Sequence, residues 1–411
     1  MDNVPVTEES IRGLRSIPRS IWALGFVSMF MDISSEMIHS LLPVFIVSVL
    51  GASAMALGLL EGVAEGAVSV AKVFSGAVSD WLGKRKPLAL IGYGMAALTK
   101  PLFPLADSFG VVFVARLIDR IGKGIRGAPR DALVADLAPE HVRGASYGLR
   151  QSLDTVGAFV GPLGAIGLML LFEGNFRRVF WVAVLPAFVS VGLLALFVQE
   201  PPNSAKPSGV RPQFRWRELR YFSRAFWFVV AIGGVFTLAR FSEAFLILRA
   251  TNIGLGNDYV PLVLVLMNAV YAASSYPAGQ LSDRVDRRFV LAVGGVALIA
   301  SDVALARAHG TIGLAIGVLF WGLHMGFSQG LLAALVADAA PLERRGSAFG
   351  LFNLVGGILL LVASIVAGAL WDRIGPPATF YAGASFAVLG VVGLLLHVGM
   401  ASKTTGSVAG S

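Results

Sequence analysis

The sequence contains no cysteine and only a small share of charged residues. Without cysteine, the chain forms no disulfide, thiolate metal site or iron–sulfur cluster. Charged residues make up 14% of the 411 residues and hydrophobic residues 56%, which is too apolar for a soluble protein of this length. Apolar runs of about twenty residues recur along the chain and predict an all-α, multi-pass membrane protein.

The chain also lacks the short motifs that mark common enzymes and nucleotide-driven pumps. No phosphate-binding glycine loop follows a strand, and neither an HExxH sequence nor a nucleophile elbow occurs. We therefore predict that the protein is not an enzyme and has no ATPase of its own. The polar N-terminal stretch has no short apolar core followed by a cleavage site, so we expect the first span to act as the insertion signal.

The net charge of +8 reflects where the basic residues lie between the apolar runs. If the N-terminus is cytoplasmic, most loop lysines and arginines fall on the inside. The predicted outside loops carry only Arg177, Arg178, Arg307 and Arg373. This asymmetry follows the positive-inside rule and predicts a membrane protein with both termini in the cytoplasm. Because topology explains the basic excess, we expect no binding to nucleic acid.

Twelve membrane spans are predicted, six in each half of the chain. They are 20–50, 57–79, 88–106, 109–137, 145–172, 178–198, 225–250, 259–281, 289–307, 311–338, 346–371 and 378–399. The predicted organisation is a cytoplasmic N-tail (1–19), an N-terminal six-helix bundle (20–198), a cytoplasmic linker (199–224), a C-terminal six-helix bundle (225–400) and a cytoplasmic tail (401–411). The linker is rich in proline and basic residues, as flexible connections often are.

Two landmarks occur twice at almost the same separation. The loop 76–86 returns as 279–288, and the stretch 135–148, which begins Ala-Asp and contains Arg-Gly, returns as 337–350. Landmarks that repeat at nearly one offset indicate two homologous halves.

Twelve spans, two halves and this repeated loop closely resemble the major facilitator superfamily. In the first copy, the residues that match the family's loop motif are Gly76, Asp80, Gly83, Lys84, Arg85 and Lys86. In the second copy they are Gly279, Asp283, Arg287 and Arg288. Trp81 stands where the family commonly has a basic residue. The resemblance implies that these loops gate the cytoplasmic side and that the halves rock in alternating access, driven by a proton gradient and without a cofactor.

We expect Asp80 and Asp283 to pair across the cytoplasmic surface or to cap neighbouring helix ends. The alternative is a solvated basic turn that only sets topology. In the fifth span, a series of small residues with a proline resembles the antiporter motif of the superfamily's exporting branches: Gly157, Gly161, Pro162 and Gly164. This motif favours export, although a simple helix-packing seam would also place small residues four apart.

Several ionisable residues lie within the predicted spans, where each costs about 2.5 to 3.5 kcal/mol. In the first span, Asp32, Glu36 and His39 share one helix face, and Glu61 and Glu65 share a face in the second. The fourth span carries the basic counterpart, namely Arg116, Asp119, Arg120 and Lys123. Arg116 matches the family's span-4 arginine, whereas Arg120 replaces a glycine.

We expect the carboxylates of the first span to face the cations of the fourth. The hypothesis is that Asp32 and Glu36 alternate between a proton and the substrate while Arg116 tunes their affinity for protons. A purely structural ion-pair network is the alternative. The second half offers only weak signals, such as Asp302 and His324.

The substrate is predicted from the donor atoms of the first span. Asp32, Glu36, Met37 and His39 supply oxygen, nitrogen and thioether ligands that suit Ni²⁺, Co²⁺, Fe²⁺ or Mn²⁺. The stretch also resembles a bacterial subgroup that includes nickel-resistance permeases, although the histidine-rich tail of some of those proteins is absent. Proton-coupled efflux of such a metal by a monomer is therefore the leading interpretation. The alternatives are export of a small organic anion, a metal chelate or a drug, and a sensor that does not transport.

Overall fold

The computed structural model describes residues 16–139, 142–200, 222–341 and 345–408, except for the side chains of 77, 80, 345–347 and 397–408. Most of the predicted N-tail and linker and the last residues of the predicted C-terminal tail lie outside these ranges. Within them, all regular structure is helical.

The helices follow the predicted spans closely. They are α1 Arg19–His39, α2 Leu42–Val44, α3 Ala54–Leu82, α4 Lys86–Thr99, α5 Leu102–Leu105, α6 Phe109–Leu137, α7 Arg143–Leu171, α8 Phe176–Phe197, α9 Arg224–Ala239, α10 Ala244–Asn252, α11 Leu262–Ser282, α12 Arg287–Arg307, α13 Thr311–Ala339, α14 Arg345–Arg373 and α15 Pro376–Val408. Eleven segments of the described chain are long and apolar enough to cross a membrane. The 29-residue α6 is the remaining long helix, and it carries the charged residues of the predicted fourth span.

Three of the predicted spans are interrupted. The first passes from α1 into the short α2 and a π-helical turn, Phe45–Val49, and Pro43 lies in the first turn of α2. The third is broken before Pro101, between α4 and α5. A proline has no backbone N–H and therefore ends a helix at this kind of position. The seventh span breaks between α9 and α10 although residues 240–243 include neither proline nor glycine.

The described residues form two compact units. Unit 1 lies within Met1–His39 and Ala67–Gln213, and unit 2 within Ser40–Gly66 and Phe214–Ser411. The first part of α3 therefore belongs to unit 2. The predicted boundaries of two six-helix bundles stay a prediction.

In unit 2, the first part of α3 packs closely on α14. A Cβ atom on Gly62 would lie 2.7 Å from the Cα of Leu361, so the two helix backbones touch only because this residue is glycine. Gly58, one turn earlier, is equally close, since a Cβ atom there would overlap the carbonyl oxygen of Ser364, whereas one on Gly66 would be 3.9 Å from that of Gly357. The Asp372 carboxylate accepts hydrogen bonds from the backbone N–H groups of Ala54 (3.1 Å) and Met55 (2.9 Å), and so caps the start of α3.

The two units have different interiors. In unit 1, α1, α4, α6 and α8 bury a core that includes Leu24 and Met31 and whose buried members are aliphatic apart from Tyr93. In unit 2, an aromatic cluster fills the region around the α9–α10 break, with neighbouring ring centroids 5.5 to 6.3 Å apart. Its members are Phe241, Phe245, Trp321, Trp371 and Phe380.

Candidate functional site

The predicted acidic face of α1 is present in unit 1. Asp32, Glu36 and His39 are all half-buried, and the Glu36 carboxylate lies 3.5 Å from Nδ1 of His39. Met37, the fourth predicted metal ligand, is buried, and its methyl group faces α7 near Gly164. Among the described residues, no group of three or more His, Asp or Glu side chains is close enough to hold a metal ion. The predicted four-ligand metal site is therefore not supported.

The glycines of the antiporter-like motif lie directly against this acidic face. A Cβ atom on Gly157 would be 3.0 Å from the Cβ of Asp32, and one on Gly161 would be 2.8 Å from the Cβ of Glu36. Real Cβ atoms almost never approach so closely, because interiors are packed to van der Waals contact. The motif therefore brings α7 into backbone contact with α1 at the two carboxylates. Pro162 and Gly161 are buried in the same stretch of α7.

The charged residues of α6 divide into buried and exposed members. Arg116, Asp119 and Arg120 are at least 96% buried, whereas Lys123 is exposed. Asp119 contacts Lys100, the residue directly after α4, with a distance of 3.0 Å between Nζ and Oδ1. The same ammonium group donates to Ser35 of α1 at 3.0 Å. Lys100 thus joins the end of α4 to α1 and α6.

The α1 carboxylates and the α6 cations act on one another electrostatically. Glu36 interacts with Lys123 and Arg120, and Asp32 with Lys123 and Arg126. A second carboxylate, Asp154 of α7, also acts on Asp32. The expected meeting of acidic and basic faces is therefore found within unit 1.

A further polar network adjoins the acidic face in unit 1. Arg130 donates to Ser28 at 3.2 Å, Ser28 shares a 3.1 Å hydrogen bond with Tyr93, and Arg126 lies over the Tyr93 ring. Arg150 binds Asp154 at 2.6 Å. The site predicted from the sequence does not include Arg126, Arg130, Tyr93 or the Arg150–Asp154 pair.

Glu61 and Glu65 precede Ala67 on α3 and therefore belong to unit 2. Glu61 is buried and Glu65 is half-buried. Their predicted part in the site stays a prediction.

The two repeated landmarks contact each other in both units. In unit 1, Arg85 lies 3.5 Å from Asp136, and in unit 2, Arg287 forms an ion pair with Asp338. The residues of the second pair are each offset by 202 from those of the first. Each basic loop thus contacts the C-terminal end of a long helix, which is α6 in unit 1 and α13 in unit 2.

The loop of unit 1 is fixed by further contacts. Gly83 has a φ of +64°, a left-handed conformation that favours glycine. The Glu200 carboxylate accepts hydrogen bonds from the backbone N–H groups of Arg85 (2.6 Å) and Lys86 (2.7 Å), and so caps α4. Lys84 is exposed.

In unit 2, Asp286 caps its own helix α12 through the N–H of Arg288 at 2.8 Å. Gly279 and Asp283 are exposed. The Asp80 side chain lies outside the described residues, so its expected pairing with Asp283 stays a prediction.

Comparison with known proteins agrees with this architecture. The sequence matches the model of the Major Facilitator Superfamily over residues 24–359 and again over 244–408. The chain belongs to this superfamily. It is 33% identical to an MFS-type transporter of Methanocaldococcus jannaschii, over 93% of this chain and 95% of that protein. It is also 26% identical to the multidrug resistance protein MdtH of Yersinia enterocolitica, over 88% and 89% of the two chains.

Solved structures of the superfamily share the fold. A POT family transporter in complex with 5-aminolevulinic acid superposes with a TM-score of 0.78 at 11% identity, over 94% of this chain and 96% of that one. The predictions of a major facilitator fold and of a transporter that is not an enzyme are confirmed. The protein is a multi-pass membrane protein.

Proposed function

We propose that this superfamily member is a secondary active exporter that exchanges protons for a small organic molecule with an anionic group. Its coupling residues are Asp32 and Glu36 of α1, in the setting of the α6 cations. The proton gradient supplies the energy, the membrane is the bacterial inner membrane, and both termini face the cytoplasm. We also propose that the transporter works as a monomer.

One observation carries the coupling assignment, namely the backbone contact of the α7 glycines with the two α1 carboxylates. Because Gly157 and Gly161 pack against the Cβ atoms of Asp32 and Glu36, a shift of α7 along α1 would change the surroundings of the two carboxylates. Carboxylates whose cationic neighbours change take up or release protons. Transport in this superfamily proceeds by movements of helices around a central site. The motif therefore supports a role in which helix movement and proton exchange occur together.

The substrate class follows from the balance of buried charge in unit 1. Six cationic side chains of unit 1 are buried, namely Arg85, Lys100, Arg116, Arg120, Arg126 and Arg150, whereas Asp119 is the buried carboxylate among its described residues. Burying a charge without compensation is costly, so an excess of buried cations favours an anionic ligand. The exposed Lys123, close enough to both α1 carboxylates to act on them, is the group that we expect to contact the substrate.

A second candidate is export of lipophilic drugs. The relationship to MdtH, which is named as a multidrug resistance protein, supports efflux and leaves room for a broad substrate range. Divalent metal efflux has less support, because the described residues do not form a cluster of metal ligands.

Everted membrane vesicles with an acidic interior and a pH-sensitive dye test the proposal. Salicylate, citrate, ethidium and Ni²⁺ are added in turn, and proton efflux from the vesicle reports exchange. We expect a response to one of the organic anions, weakened about tenfold in apparent affinity by Lys123→Gln through loss of a charged hydrogen bond. Lys72→Gln, which removes an exposed cation from α3, is the matched control and should change nothing. A response to ethidium or Ni²⁺ alone would contradict the proposal.

A further inference from the structure

Asp302 of α12 lies in unit 2 and takes no part in the groups described so far. Its side chain is completely buried, and neither carboxylate oxygen has a hydrogen-bond partner among the described residues. A carboxylate without a partner in the apolar interior of a membrane protein is strongly disfavoured. In this conformation the group therefore needs a proton or another cation bound to it.

The backbone near Asp302 supplies a second oxygen. The seventh predicted span is broken there, because α9 ends at Ala239 and α10 begins at Ala244. The last carbonyl groups of a helix have no partner within that helix. In transporters with discontinuous helices, such carbonyl groups and half-helix C-termini bind coupling cations. The Ala239 carbonyl occupies this position.

Both oxygens face the same narrow space beside Gly383 of α15. A Cβ atom on Gly383 would lie 2.7 Å from Oδ2 of Asp302 and 2.9 Å from the carbonyl oxygen of Ala239. Phe241, in the helix break, closes a third side at 3.0 Å from the same point. The space therefore exists because residue 383 has no side chain, and an added methyl group would fill it.

A small cavity adjoins this space. It has a volume of about 50 Å³, and both Phe241 and Gly383 line it, together with residues of α9, α14 and α15. This volume is too small for an organic substrate, and the lining is apolar apart from Thr379.

The charged and titratable groups on the neighbouring elements have other contacts or lie apart. Arg249 of α10 donates to the carbonyl groups of Leu305 (2.9 Å) and Ala308 (2.8 Å), where α12 ends. His324 of α13 contacts the Gly294 carbonyl at 2.9 Å. The remaining groups are half-buried in the break or exposed, namely Arg240, Glu243 and Tyr381. Within the described residues, no cation forms a salt bridge with Asp302.

We propose that Asp302 and the Ala239 carbonyl form a proton-binding site in unit 2, separate from the α1 carboxylates. One carboxylate oxygen of Asp302 holds a proton taken from water, and the resulting acid donates that hydrogen to the carbonyl oxygen. When the α9–α10 break changes shape, the acceptor moves away and the proton returns to water. The site thus links the protonation of unit 2 to the geometry of its broken helix.

Infrared difference spectroscopy of the purified, full-length protein in lipid nanodiscs tests the site. Wild type should show a protonated-carboxyl absorption that disappears as the pH is raised and is missing from Asp302→Asn. Gly383→Ala should lower the pH midpoint of this titration by about one unit. Its methyl group separates the protonated Asp302 carboxyl group from the Ala239 carbonyl oxygen, which accepts its hydrogen bond. Gly390→Ala adds the same methyl group on α15 where the nearest atom is 3.4 Å away, so it should leave the titration unchanged.

Three results would overturn the proposal. The first is identical spectra for wild type and Asp302→Asn at every pH. The second is an unchanged titration in Gly383→Ala, which remains informative if the Asp302 variant fails to fold. The third is loss of the absorption on adding Na⁺ at constant pH, which would assign the site to sodium instead of a proton.

Discussion

The interiors of the two units hold their polar groups in opposite ways. Unit 1 buries several charges and pairs some of them, as in Lys100–Asp119 and Arg150–Asp154. The interior of unit 2 around the α9–α10 break is aromatic, and the buried carboxyl group there, Asp302, has no hydrogen-bond partner in the described chain. The two halves share repeated landmarks, so the difference lies in side chains placed on similar helices. Under the proposed function, unit 1 carries the substrate chemistry, whereas unit 2 carries a proton site at its helix break.

The repeated loops show what the two units keep in common. Arg85–Asp136 and Arg287–Asp338 occupy equivalent positions and tie the same two landmarks together. The comparison can therefore be tested both where the units differ and where they agree.

Removing one partner of the buried pair in unit 1 should have the largest effect. Asp119→Asn leaves the ammonium group of Lys100, which is 99% buried, without its countercharge. We expect a loss of about 3–5 kcal/mol in the free energy of unfolding, measured by denaturant titration in detergent. The control is the double variant Lys100→Met with Asp119→Leu, which removes both charges and should recover most of that stability. A loss below 1 kcal/mol in Asp119→Asn would show that the pair is solvated.

Crowding the α1–α7 contact should have the second-largest effect. Gly161→Ala places a methyl group 2.8 Å from the Cβ of Glu36 and 2.9 Å from the carbonyl oxygen of Ile33, and overpacking of this kind costs about 1–3 kcal/mol. We expect a lower melting temperature and loss of transport. Gly164→Ala is the matched control, since its nearest neighbour is 3.5 Å away. Equal behaviour of the two variants would mean that the contact is not tight.

Removing the cap on α3 in unit 2 should have an intermediate effect on stability. Asp372→Ala removes the acceptor for the N–H groups of Ala54 and Met55, and loss of a helix cap costs about 0.5–2 kcal/mol. Thermal melting in detergent measures it. Asp372→Asn keeps one acceptor oxygen and should lose less. A larger loss in the Asn variant would point to charge rather than capping.

Breaking the ion pairs of the repeated loops should have the smallest effects on stability, and the two pairs should differ in how much they contribute. Arg287 and Asp338 are 32% and 60% exposed, whereas Arg85 is 9% exposed, so Asp338→Asn should cost less than Asp136→Asn. Exposed ion pairs contribute about 0–1 kcal/mol. Double-mutant cycles at the two positions provide the measurement. The reverse order would show that burial does not set the strength of these pairs.

Much of the fold could be predicted from the sequence, because long apolar runs and the repeated loops require membrane-spanning helices in two related halves. The interruption before Pro101 could also have been read, since proline has no N–H to donate. The α9–α10 break could not, because residues 240–243 contain no helix-breaking residue. Phe241, within the break, packs against Trp321 and Phe380, contacts that local sequence does not show.

The site was predictable in part. The spacing of Asp32 and Glu36 placed them on one face, and the small residues at 157 and 161 indicated a close helix contact. The carboxylates and the small residues meet because α1 and α7 are neighbours. Residue spacing within one helix does not show which helices are neighbours. Gly58, Gly62 and Gly66 have the spacing of a packing seam and were overlooked beside the glutamates of the same span. A single acid on an apolar helix, such as Asp302, carries no pattern at all.

The most direct test of coupling by α1 compares two modes of transport in Asp32→Asn. Reconstituted protein is given the probe anion that is active in vesicles, first with equal pH on both sides and then with a proton gradient. The coupling role of Asp32 predicts that the variant still exchanges labelled for unlabelled anion but no longer moves it against its concentration when a gradient is applied. Gradient-driven transport with the pH dependence of wild type would contradict it.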